Sequence, residues 1–492
     1  MSSTTESETP RRTFLGEKLF AFDDQDRFAR WSGDVNPMHM DPIAARRTQL
    51  GRVVVHGVHL VVWALDALCA SGAAPINSIK VRFSRPTFVG DRVLVSIGSH
   101  NSVQARLSVL AEGVAAASIT VTFGDRGPAT ASPAASLMPS PEWPGAPIER
   151  ADQDIVSDGA VSVAPSAAEM AAAFPALAGN LGEVPLAGLG CLSRLVGMVC
   201  PGLHSIFGAV HLDLTHADPL TDGICFSARY ANADFRAVEL SVAGCGLRGQ
   251  VEAIARAPPV RQPAISEIAL QVGPREFEDA RCLVIGGTRG LGEVASKILA
   301  AGGAQVVLTY AVGRQDAQKV SDEITAFGGR SEIAALDVRQ PVDIGSKNLP
   351  FAPTHIYYFA TCPIAVRRAN SFDADAFNQF QRFYVDAFAE LCDGLAEKGS
   401  APVRVFYPST IAIEARPRGM TEYTMAKAAG EILCADINRY SRAIDIVMDR
   451  LPRLATDLTA THMQIEMPPV IDVLLPLIRR VQDRGQVPAV HQ

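Results

Sequence analysis

Residues 31–41 read Trp-Ser-Gly-Asp-Val-Asn-Pro-Met-His-Met-Asp, and residues 53–57 read Val-Val-Val-His-Gly. On its own, Asp-Val-Asn-Pro is typical of a turn, because Asp and Asn bond their own backbone and Pro fixes φ. Here an imidazole, His39, follows five residues after the carboxylate of Asp34. Two such groups held close together can bind one water and move protons in either direction. The stretch therefore predicts a turn that carries a carboxylate and an imidazole five residues apart.

This stretch resembles the signature of MaoC-like (R)-specific enoyl-thioester hydratases, which have the hot-dog fold. The matching positions are Ser32, Gly33, Asp34, Asn36, Pro37, His39 and Asp41. The resemblance implies that Asp34 and His39 add water across an enoyl-thioester, or remove it. It also implies the (R)-isomer and a CoA or acyl-carrier-protein thioester. The backbone N–H of Gly57, at a helix start, is the expected donor to the thioester carbonyl.

The pattern after His56 predicts one apolar helix followed by a sheet. The helix runs from Val58 to about Ala70, and residues 81–91 are similar to the strand and turn that follow the central helix in this family. Alternating β-branched and polar residues predict strands. The predicted strands are Ser78–Ser84, Arg92–Ser99, Val103–Ala111 and Ala115–Phe123. One helix with a sheet wrapped around it is the hot-dog plan.

The same layout recurs further along the chain. An apolar helix is predicted over Leu186–Cys200. The strands predicted after it are Ala209–Leu214, Gly223–Ala231, Arg236–Ala243 and Leu247–Ala255. This part has no Asp-x-Asn-Pro-x-His string, and His204 stands alone as a candidate catalytic group. We therefore expect a degenerate second half with a structural role, which replaces the partner subunit of single hot-dog hydratases.

Beyond residue 280 strands alternate with helices, which favours a parallel α/β sheet. A buried strand, Cys282–Ile285, precedes the run Gly-Gly-Thr-Arg-Gly-Leu-Gly at residues 286–292, and a helix over Glu293–Ala301 follows. Glycines placed in this way let the backbone turn sharply and approach a pyrophosphate at the helix N-terminus. The context of strand, loop and helix is the one that a dinucleotide-binding fingerprint requires.

This part resembles the short-chain dehydrogenase/reductase family. Tyr423 and Lys427 match its Tyr-x-x-x-Lys motif, and positions i and i+4 share one helix face. The resemblance implies that Tyr423 passes a proton to the substrate oxygen while Lys427 lowers its pKa and holds the nicotinamide ribose. A catalytic hydroxyl is expected at Ser409, with Thr410 as the alternative. The expected cofactor-binding residues are Gly286, Thr288, Arg289, Gly290, Leu291, Gly292, Asp337, Val338, Tyr423 and Lys427.

The coenzyme preference follows from the second strand, Gln305–Tyr310. NAD enzymes have an acid at its tip that binds the ribose 2′-hydroxyl, whereas this strand ends Thr-Tyr-Ala. Arg289 and Arg314 can meet a 2′-phosphate instead. The expected cofactor is therefore NADP(H).

Two departures from the reductase family leave an alternative open. The segment Ala360–Pro363 replaces the usual Asn-Asn-Ala-Gly, and Asp386 stands where an Asn normally holds a water in the proton relay. One hypothesis is a bifunctional enzyme that reduces a 3-oxoacyl-thioester and dehydrates the (R)-3-hydroxyacyl product to the trans-2-enoyl-thioester. The alternative is an active hydratase whose reductase-like domain only binds nucleotide or is structural.

Two seams divide the chain, one over Gly127–Arg150 and one over Ala257–Ala280, and both are rich in Pro. The predicted fold class is an α+β double hot-dog followed by an α/β Rossmann domain with a doubly wound parallel sheet. The predicted segments are a disordered tail at 1–12, a hot-dog hydratase-like domain at 13–130, a degenerate hot-dog domain at 150–258 and a short-chain dehydrogenase/reductase domain at 278–490.

Composition narrows the remaining possibilities. The formal net charge is −7, and no Lys/Arg run is dense enough to predict nucleic acid or an anionic membrane as a partner. The nine Cys show neither CxxC nor disulfide-like spacing, which indicates a reducing, cytoplasmic location. No apolar run has the length and flanks of a membrane span. We expect a homo-oligomer without a metal site.

Overall fold

The computed structural model of the protein describes residues 13–127, 145–151, 154–216, 222–232, 234–342, 349–364, 372–396, 402–460 and 465–483. The chain forms two compact units. The first contains residues 52–258 with 1–46 and 461–464, and the second contains residues 259–460 with 47–51 and 465–492. The predicted tail at 1–12 and most of the first predicted seam lie outside the described residues.

One ten-stranded antiparallel sheet forms the framework of the first unit. Its strands are β1 (Thr13–Leu19), β2 (Ile76–Phe83), β3 (Arg92–His100), β4 (Gln104–Ala111), β5 (Val114–Phe123), β6 (Ser157–Ser162), β7 (Ser205–Leu214), β8 (Gly223–Asn232), β9 (Ala237–Gly244) and β10 (Leu247–Ala255). Their order across the sheet is β1-β3-β4-β5-β2-β7-β10-β9-β8-β6. The first set of five strands is β1–β5 and the second set is β6–β10. If the strands of each set are numbered 1 to 5 along the chain, both sets have the order 1-3-4-5-2 from the outer edge of the sheet to its centre.

The two sets of strands join where β2 and β7 pair, with Ile79 opposite Leu212 and Val81 opposite Val210. All four of these side chains are buried. Because alternate residues of a strand face the same side, these pairs fix which face of the joined sheet is apolar. One hydrophobic core then contains side chains from both sets.

The helices of the first unit occupy equivalent places in the two sets. They are α1 (Phe22–Ser32), α2 (Pro37–Met40), α3 (Pro42–Ala45), α4 (Gly57–Ala70), α5 (Ala167–Ala173), α6 (Pro175–Leu181) and α7 (Glu183–Arg194). Helix α4 precedes the second strand of the first set, and α7 precedes the second strand of the second set. Each of these two helices is apolar and largely buried, so each set provides one central helix for the shared core.

Regular α-helix ends earlier in the second set than its apolar run predicts. The prediction was a helix over Leu186–Cys200, but α7 ends at Arg194 and one π-helical turn, Leu195–Val199, follows. Such turns widen the backbone by one residue and are frequent at functional sites. No single helix among the described residues is long and apolar enough to cross a membrane; α6 and α7 meet that test only as a pair bent by 109°.

The second unit contains the predicted parallel sheet. Its strands are β11 (Arg281–Ile285), β12 (Gln305–Tyr310), β13 (Arg330–Ala335), β14 (His355–Tyr358), β15 (Val403–Thr410) and β16 (Ile444–Leu451). Their order is β13-β12-β11-β14-β15-β16, and every pair is parallel. The chain order reverses between β11 and β14. In open parallel sheets, ligands bind beyond the carboxyl ends of the strands at such a point.

Helices connect these strands. They are α8 (Ile265–Ile268), α9 (Gly290–Ala301), α10 (Arg314–Ala326), α11 (Ala374–Gln381), α12 (Ala387–Ala396), α13 (Ala412–Ala415), α14 (Thr421–Tyr440) and α15 (Val470–Gln482). A second π-helical turn, Arg382–Asp386, separates α11 from α12. The predicted helix after the glycine run begins three residues earlier than expected, at Gly290, so the last glycines of the run lie inside its first turn.

Candidate active sites

The turn chemistry of residues 33–37 holds Asp34 in place. Helix α1 ends at Ser32, and the next residue, Gly33, caps it with a left-handed φ of 77° that suits glycine. The Asn36 side chain caps α2 by accepting a hydrogen bond from the Met38 N–H at 3.0 Å, and Pro37 is the first helical residue. Asp34 therefore lies on a short, rigid link between two helices. The residues that form the predicted turn also form the candidate site.

The Asp34 carboxylate is buried and held by two donors. Ser193 Oγ donates to Oδ2 at 2.7 Å, and the Asn36 backbone N–H donates to Oδ1 at 3.1 Å. Burial raises the pKa of Asp34, while the charge of His39 and the Ser193 hydrogen bond oppose that rise. The result is a desolvated carboxyl group with its proton affinity increased, as acid–base catalysis near neutral pH requires.

The second set of strands contributes more than the sequence predicts, because its central helix contacts Asp34. The π-helical turn after α7 places Gly197 so that a Cβ there would lie 2.5 Å from Asp34 Oδ1. The Asn36 Nδ2 group donates to the carbonyls of Gly197 at 2.7 Å and Leu203 at 3.2 Å. Ser193 and Gly197 lie more than 150 residues from Asp34, and no local pattern in the sequence signals them.

His39 and a second imidazole, His56, lie beside this carboxylate. Their rings stack with centroids 4.1 Å apart. The His39 Nδ1 lies 2.7 Å from the Val54 carbonyl, and the His56 Nε2 lies 3.0 Å from the Asp34 carbonyl. A carbonyl only accepts, so each of these two nitrogens carries a ring proton, and in a ring with a single proton the other nitrogen is an acceptor. Burial lowers the pKa of His56 well below its usual value.

Asp34, His39 and His56 form one compact group. Each offers an atom that could ligate a metal, and these atoms all lie within 4.8 Å of one another. His56 Nδ1 has no hydrogen-bond partner among the described residues. The sequence singled out Asp34 and His39 as catalytic and used His56 only to mark a helix start. The structure brings all three together.

Gly57 is the first residue of α4, as predicted. The first N–H groups of a helix have no intrahelical acceptor and point along the axis towards its N-terminal end. A Cβ at Gly57 would lie 3.1 Å from the Phe83 ring, so glycine allows this ring to pack closely. The predicted oxyanion donor therefore has an available N–H at the start of a buried helix.

His204, the remaining candidate in the second set, belongs to a different environment. Its Nε2 lies 3.2 Å from Glu149 Oε1, and it lines a cavity with Glu149, Arg150 and Arg236. The preceding residue, Leu203, is the one whose carbonyl meets Asn36. His204 is thus next to the wall of the Asp34 site but makes its own contact elsewhere.

In the second unit, the glycine run lies at the predicted point between β11 and α9. Gly286 has a left-handed φ of 78°, and a Cβ there would lie 2.9 Å from the Ala360 nitrogen. A Cβ at Gly292 would lie 2.2 Å from the Gly286 carbonyl oxygen. Only glycine fits at these two positions. The loop is thus narrow, and it follows the carboxyl end of β11, where the strand order reverses. This position suits a pyrophosphate bound at the N-terminus of α9.

The other predicted nucleotide contacts follow the carboxyl ends of two parallel strands, β11 and β13. Thr288 is buried and Leu291 is partly buried. The Arg289 guanidinium lies 3.4 Å from Asp457. Asp337 lies two residues beyond β13 in an ion pair with Arg339, which lowers its pKa. Val338 is buried. These predicted residues therefore lie beyond the carboxyl ends of parallel strands, and Arg289 has an acidic neighbour, Asp457.

Tyr423 lies on α14 with its ring buried. Burial raises the pKa of Tyr423 to about 12, and a hydrogen bond from Thr410 opposes the rise. The Ser409 hydroxyl instead donates to Glu431 at 2.5 Å. Consecutive residues of a strand point to opposite faces, so only one of the two hydroxyls can face Tyr423. The structure therefore pairs Thr410, the alternative hydroxyl, with Tyr423, and it pairs Ser409 with Glu431.

Lys427 lies one turn after Tyr423 and is also buried. Its ammonium group donates to the Pro408 carbonyl at 2.6 Å and lies 4.0 Å from the centre of the Tyr384 ring. Burial lowers the pKa of Lys427 to about 7. The expected lowering of the Tyr423 pKa by Lys427 is absent in this arrangement, because the ammonium is directed to Pro408 and Tyr384.

The residue at the expected Asn position, Asp386, closes the second π-helical turn. Its carboxylate accepts a hydrogen bond from Gln381 at 3.3 Å. Tyr384, two residues earlier, forms a 2.6 Å hydrogen bond with Thr361 of the altered Ala360–Pro363 segment. Sequence analysis missed Tyr384. Its aromatic type and its spacing of two from Asp386 gave no signal for a contact with Lys427.

Residues 5–116 match the family model described as MaoC like domain. The fatty acid synthase subunit beta of Gibberella zeae is 34% identical over 83 residues, which are 16% of this chain and 4% of that protein. The peroxisomal hydratase-dehydrogenase-epimerase of Saccharomyces cerevisiae is 34% identical over 80 residues, which are 16% of this chain and 9% of that protein. The chain thus matches under a tenth of either relative's length.

The solved structures that match part of the chain include two short chain dehydrogenases. A putative short chain dehydrogenase from Shigella flexneri 2a str. 301, complexed with NADP, is 18% identical, covering 43% of this chain and 93% of its own, with a TM-score of 0.37. A short chain dehydrogenase from Burkholderia cenocepacia J2315, in complex with NADP, is 23% identical with the same coverage and a TM-score of 0.36. TM-scores this low support no inference about activity.

Proposed function

We propose that the first unit is a double hot-dog hydratase that interconverts an (R)-3-hydroxyacyl-thioester and the trans-2-enoyl-thioester. One observation carries the proposal: the desolvated Asp34 carboxylate lies with His39 and His56 in a single buried group. The match of residues 5–116 to the MaoC like domain supports it. The identical strand order of the two sets supports a division into two hot-dog domains at 13–130 and 150–258.

The contacts of these side chains suggest how the reaction proceeds. A water between Asp34 and the free nitrogen of His39 loses a proton to that nitrogen as its oxygen bonds to carbon 3. Asp34, whose protonated form burial favours, gives a proton to carbon 2. The proton on His39 then passes to Asp34 and restores the starting state, and dehydration is the reverse. The Gly57 N–H stabilises the negative charge that develops on the thioester oxygen. Ser193 and the Asn36 N–H hold the carboxylate in position for both directions.

We further propose that the second unit, over 278–490, is a Rossmann-fold short-chain reductase that uses NADP(H). The narrow glycine loop would hold the pyrophosphate, Asp337 and Val338 the adenine, and Lys427 the nicotinamide ribose. NADPH would supply a hydride to the 3-oxo carbon of the acyl-thioester. Tyr423, hydrogen-bonded to Thr410, gives the proton to the substrate oxygen. The product is the substrate of the first unit, and the yeast relative's name likewise joins a hydratase to a dehydrogenase.

A second candidate is favoured by the position of Lys427. Its ammonium is hydrogen-bonded to Pro408 and stacked on Tyr384, and Asp386 faces Gln381. In this candidate, the second unit binds nucleotide without reducing a substrate. The two candidates differ in one measurement, which is NADPH consumption by the wild-type protein with 3-oxoacyl-thioesters of several chain lengths. Binding without turnover on all of them selects the nucleotide-binding module.

The hydratase is tested with the purified full chain and crotonyl-CoA, followed by loss of enoyl absorbance. Asp34→Asn and His39→Ala should each lower hydration by about two to four orders of magnitude, the usual range for loss of an acid–base group. NADPH binding is the control and should not change. Addition of EDTA should also leave hydration unchanged. Wild-type hydration rates in both variants would contradict the assignment of the site.

A further inference from the structure

A cavity in the second set of strands has the features of an anion site. Its volume is about 270 Å³, and its lining includes Glu149, Arg150, Ile155, His204 and Arg236. Pockets for drug-sized ligands are larger, about 300–1,000 Å³. The space therefore suits a small charged group and would not enclose a whole nucleotide.

The charges around this cavity are mainly positive. Arg150 and Arg236 line it, and Arg256 lies behind His204, with its backbone N–H donating to the His204 carbonyl at 2.8 Å. Burial alone lowers the pKa of Arg256 to about 10. Burial, Arg256 and Arg236 lower the pKa of His204, while Glu149 opposes them. Among the described residues of the cavity and its wall, three guanidinium groups thus accompany one carboxylate, which is an excess of positive charge.

The wall of the cavity is fixed by backbone contacts to the Asp34 site. Ile148 donates to the Met198 carbonyl at 2.8 Å, and Leu203 donates to the Ile148 carbonyl at 2.9 Å. Arg150 Nε donates to the Val199 carbonyl at 2.6 Å. The Leu203 carbonyl accepts from both Arg256 and Asn36, each at 3.2 Å. These bonds fix the side chains of Arg150 and Arg256, and a site that is already formed costs little ordering on binding.

We propose that this cavity binds a phosphate group, as a monoester or as the free ion. Arginine is the residue best suited to this role, because its planar fork gives two parallel N–H donors to phosphate oxygens. The ligand has two possible sources: the phosphate of an acyl carrier's phosphopantetheine arm, or inorganic phosphate. The site itself does not depend on the proposed hydratase activity, since binding alone tests it.

The test uses calorimetric titration of the full chain with two probes, 4′-phosphopantetheine and inorganic phosphate. Arg236→Gln should weaken binding at least about tenfold, the loss expected for one charge-assisted contact. Arg236→Lys should recover part of it. Arg229→Gln is the matched control, because Arg229 lies on the preceding strand in an exposed ion pair with Asp158 and does not line the cavity. It should bind as wild type does.

The two sources give different patterns. If Arg236→Gln weakens both probes and phosphate competes with phosphopantetheine, the cavity takes the carrier's phosphate. If it weakens only inorganic phosphate, the cavity takes the free ion. If neither probe binds the wild type at millimolar concentration, or if Arg236→Gln and Arg229→Gln bind alike, there is no anion site. Loss of hydration in Asp34→Asn is measured separately, so failure of either proposal leaves the other standing.

Discussion

The contact between Gly197 and Asp34 allows a sharp test of the hydratase mechanism. In Gly197→Ala the new Cβ would lie 2.5 Å from Asp34 Oδ1, 2.7 Å from Oδ2 and 2.8 Å from Cγ. An ordinary contact needs about 3.4 Å, so the carboxylate or the π-helical turn must move by about 1 Å. A displacement of that size in a catalytic group costs on the order of 10²-fold in rate.

The assay is hydration of crotonyl-CoA by the full chain, with kcat and KM determined separately. We expect kcat to fall about 10²-fold while circular dichroism and NADPH binding stay as in wild type. Gly179→Ala is the matched control, since Gly179 also lies in a helix of the same unit and a Cβ there meets nothing within 4 Å. It should retain full activity. If Gly197→Ala hydrates at the wild-type rate, Asp34 does not act in the position described.

Three further outcomes are expected. Asp34→Asn should raise the melting temperature at pH 7. Burial raises the pKa of Asp34 in the folded state above its unfolded value, so the wild type loses stability as pH rises from the unfolded pKa to the folded pKa. The stability advantage of the variant should vanish near pH 4, and each kcal/mol of that advantage corresponds to about 2–4 °C. Thr410→Val should lower ketone reduction by about two orders of magnitude, the range for a proton-transfer partner, while Ser409→Ala should affect it little; steady-state rates decide between them. NADPH affinity should fall as pH rises through about 7, since Lys427 is cationic only below its lowered pKa, and Lys427→Met should flatten that profile in fluorescence titrations.

The sequence alone predicted those helices and strands whose residue pattern depends only on neighbouring positions along the chain. The apolar period placed α4 almost to the residue, and Gln305–Tyr310 is a strand with the predicted bounds. Edge strand β6 was not predicted, because its sequence, Ser-Asp-Gly-Ala-Val-Ser, has little β propensity and forms a strand through pairing with β8. Pairing with β8, and not local propensity, therefore determines that residues 157–162 form a strand.

The candidate sites show the same division. Asp34, His39 and the glycine loop could be singled out as candidates because their chemistry depends on close spacing along the chain. Ser193 and Gly197 were missed because their role comes from the packing of two helices far apart in sequence. The choice between Ser409 and Thr410 depended on which strand face meets α14, and residue type carries no information about that.

The joined sheet has a consequence for how this protein can change over evolutionary time. In a symmetric homodimer every substitution appears twice, so a change that improves one site must be tolerated in the other. Here the two sets of strands share one chain and one core, yet each is encoded by its own stretch of sequence, so a substitution in one set is not repeated in the other. The helix that supports Asp34 can therefore adopt a π-helical turn, and the region beyond it a positively charged cavity, without imposing either on α4. A duplicated scaffold can thus be refined one side at a time.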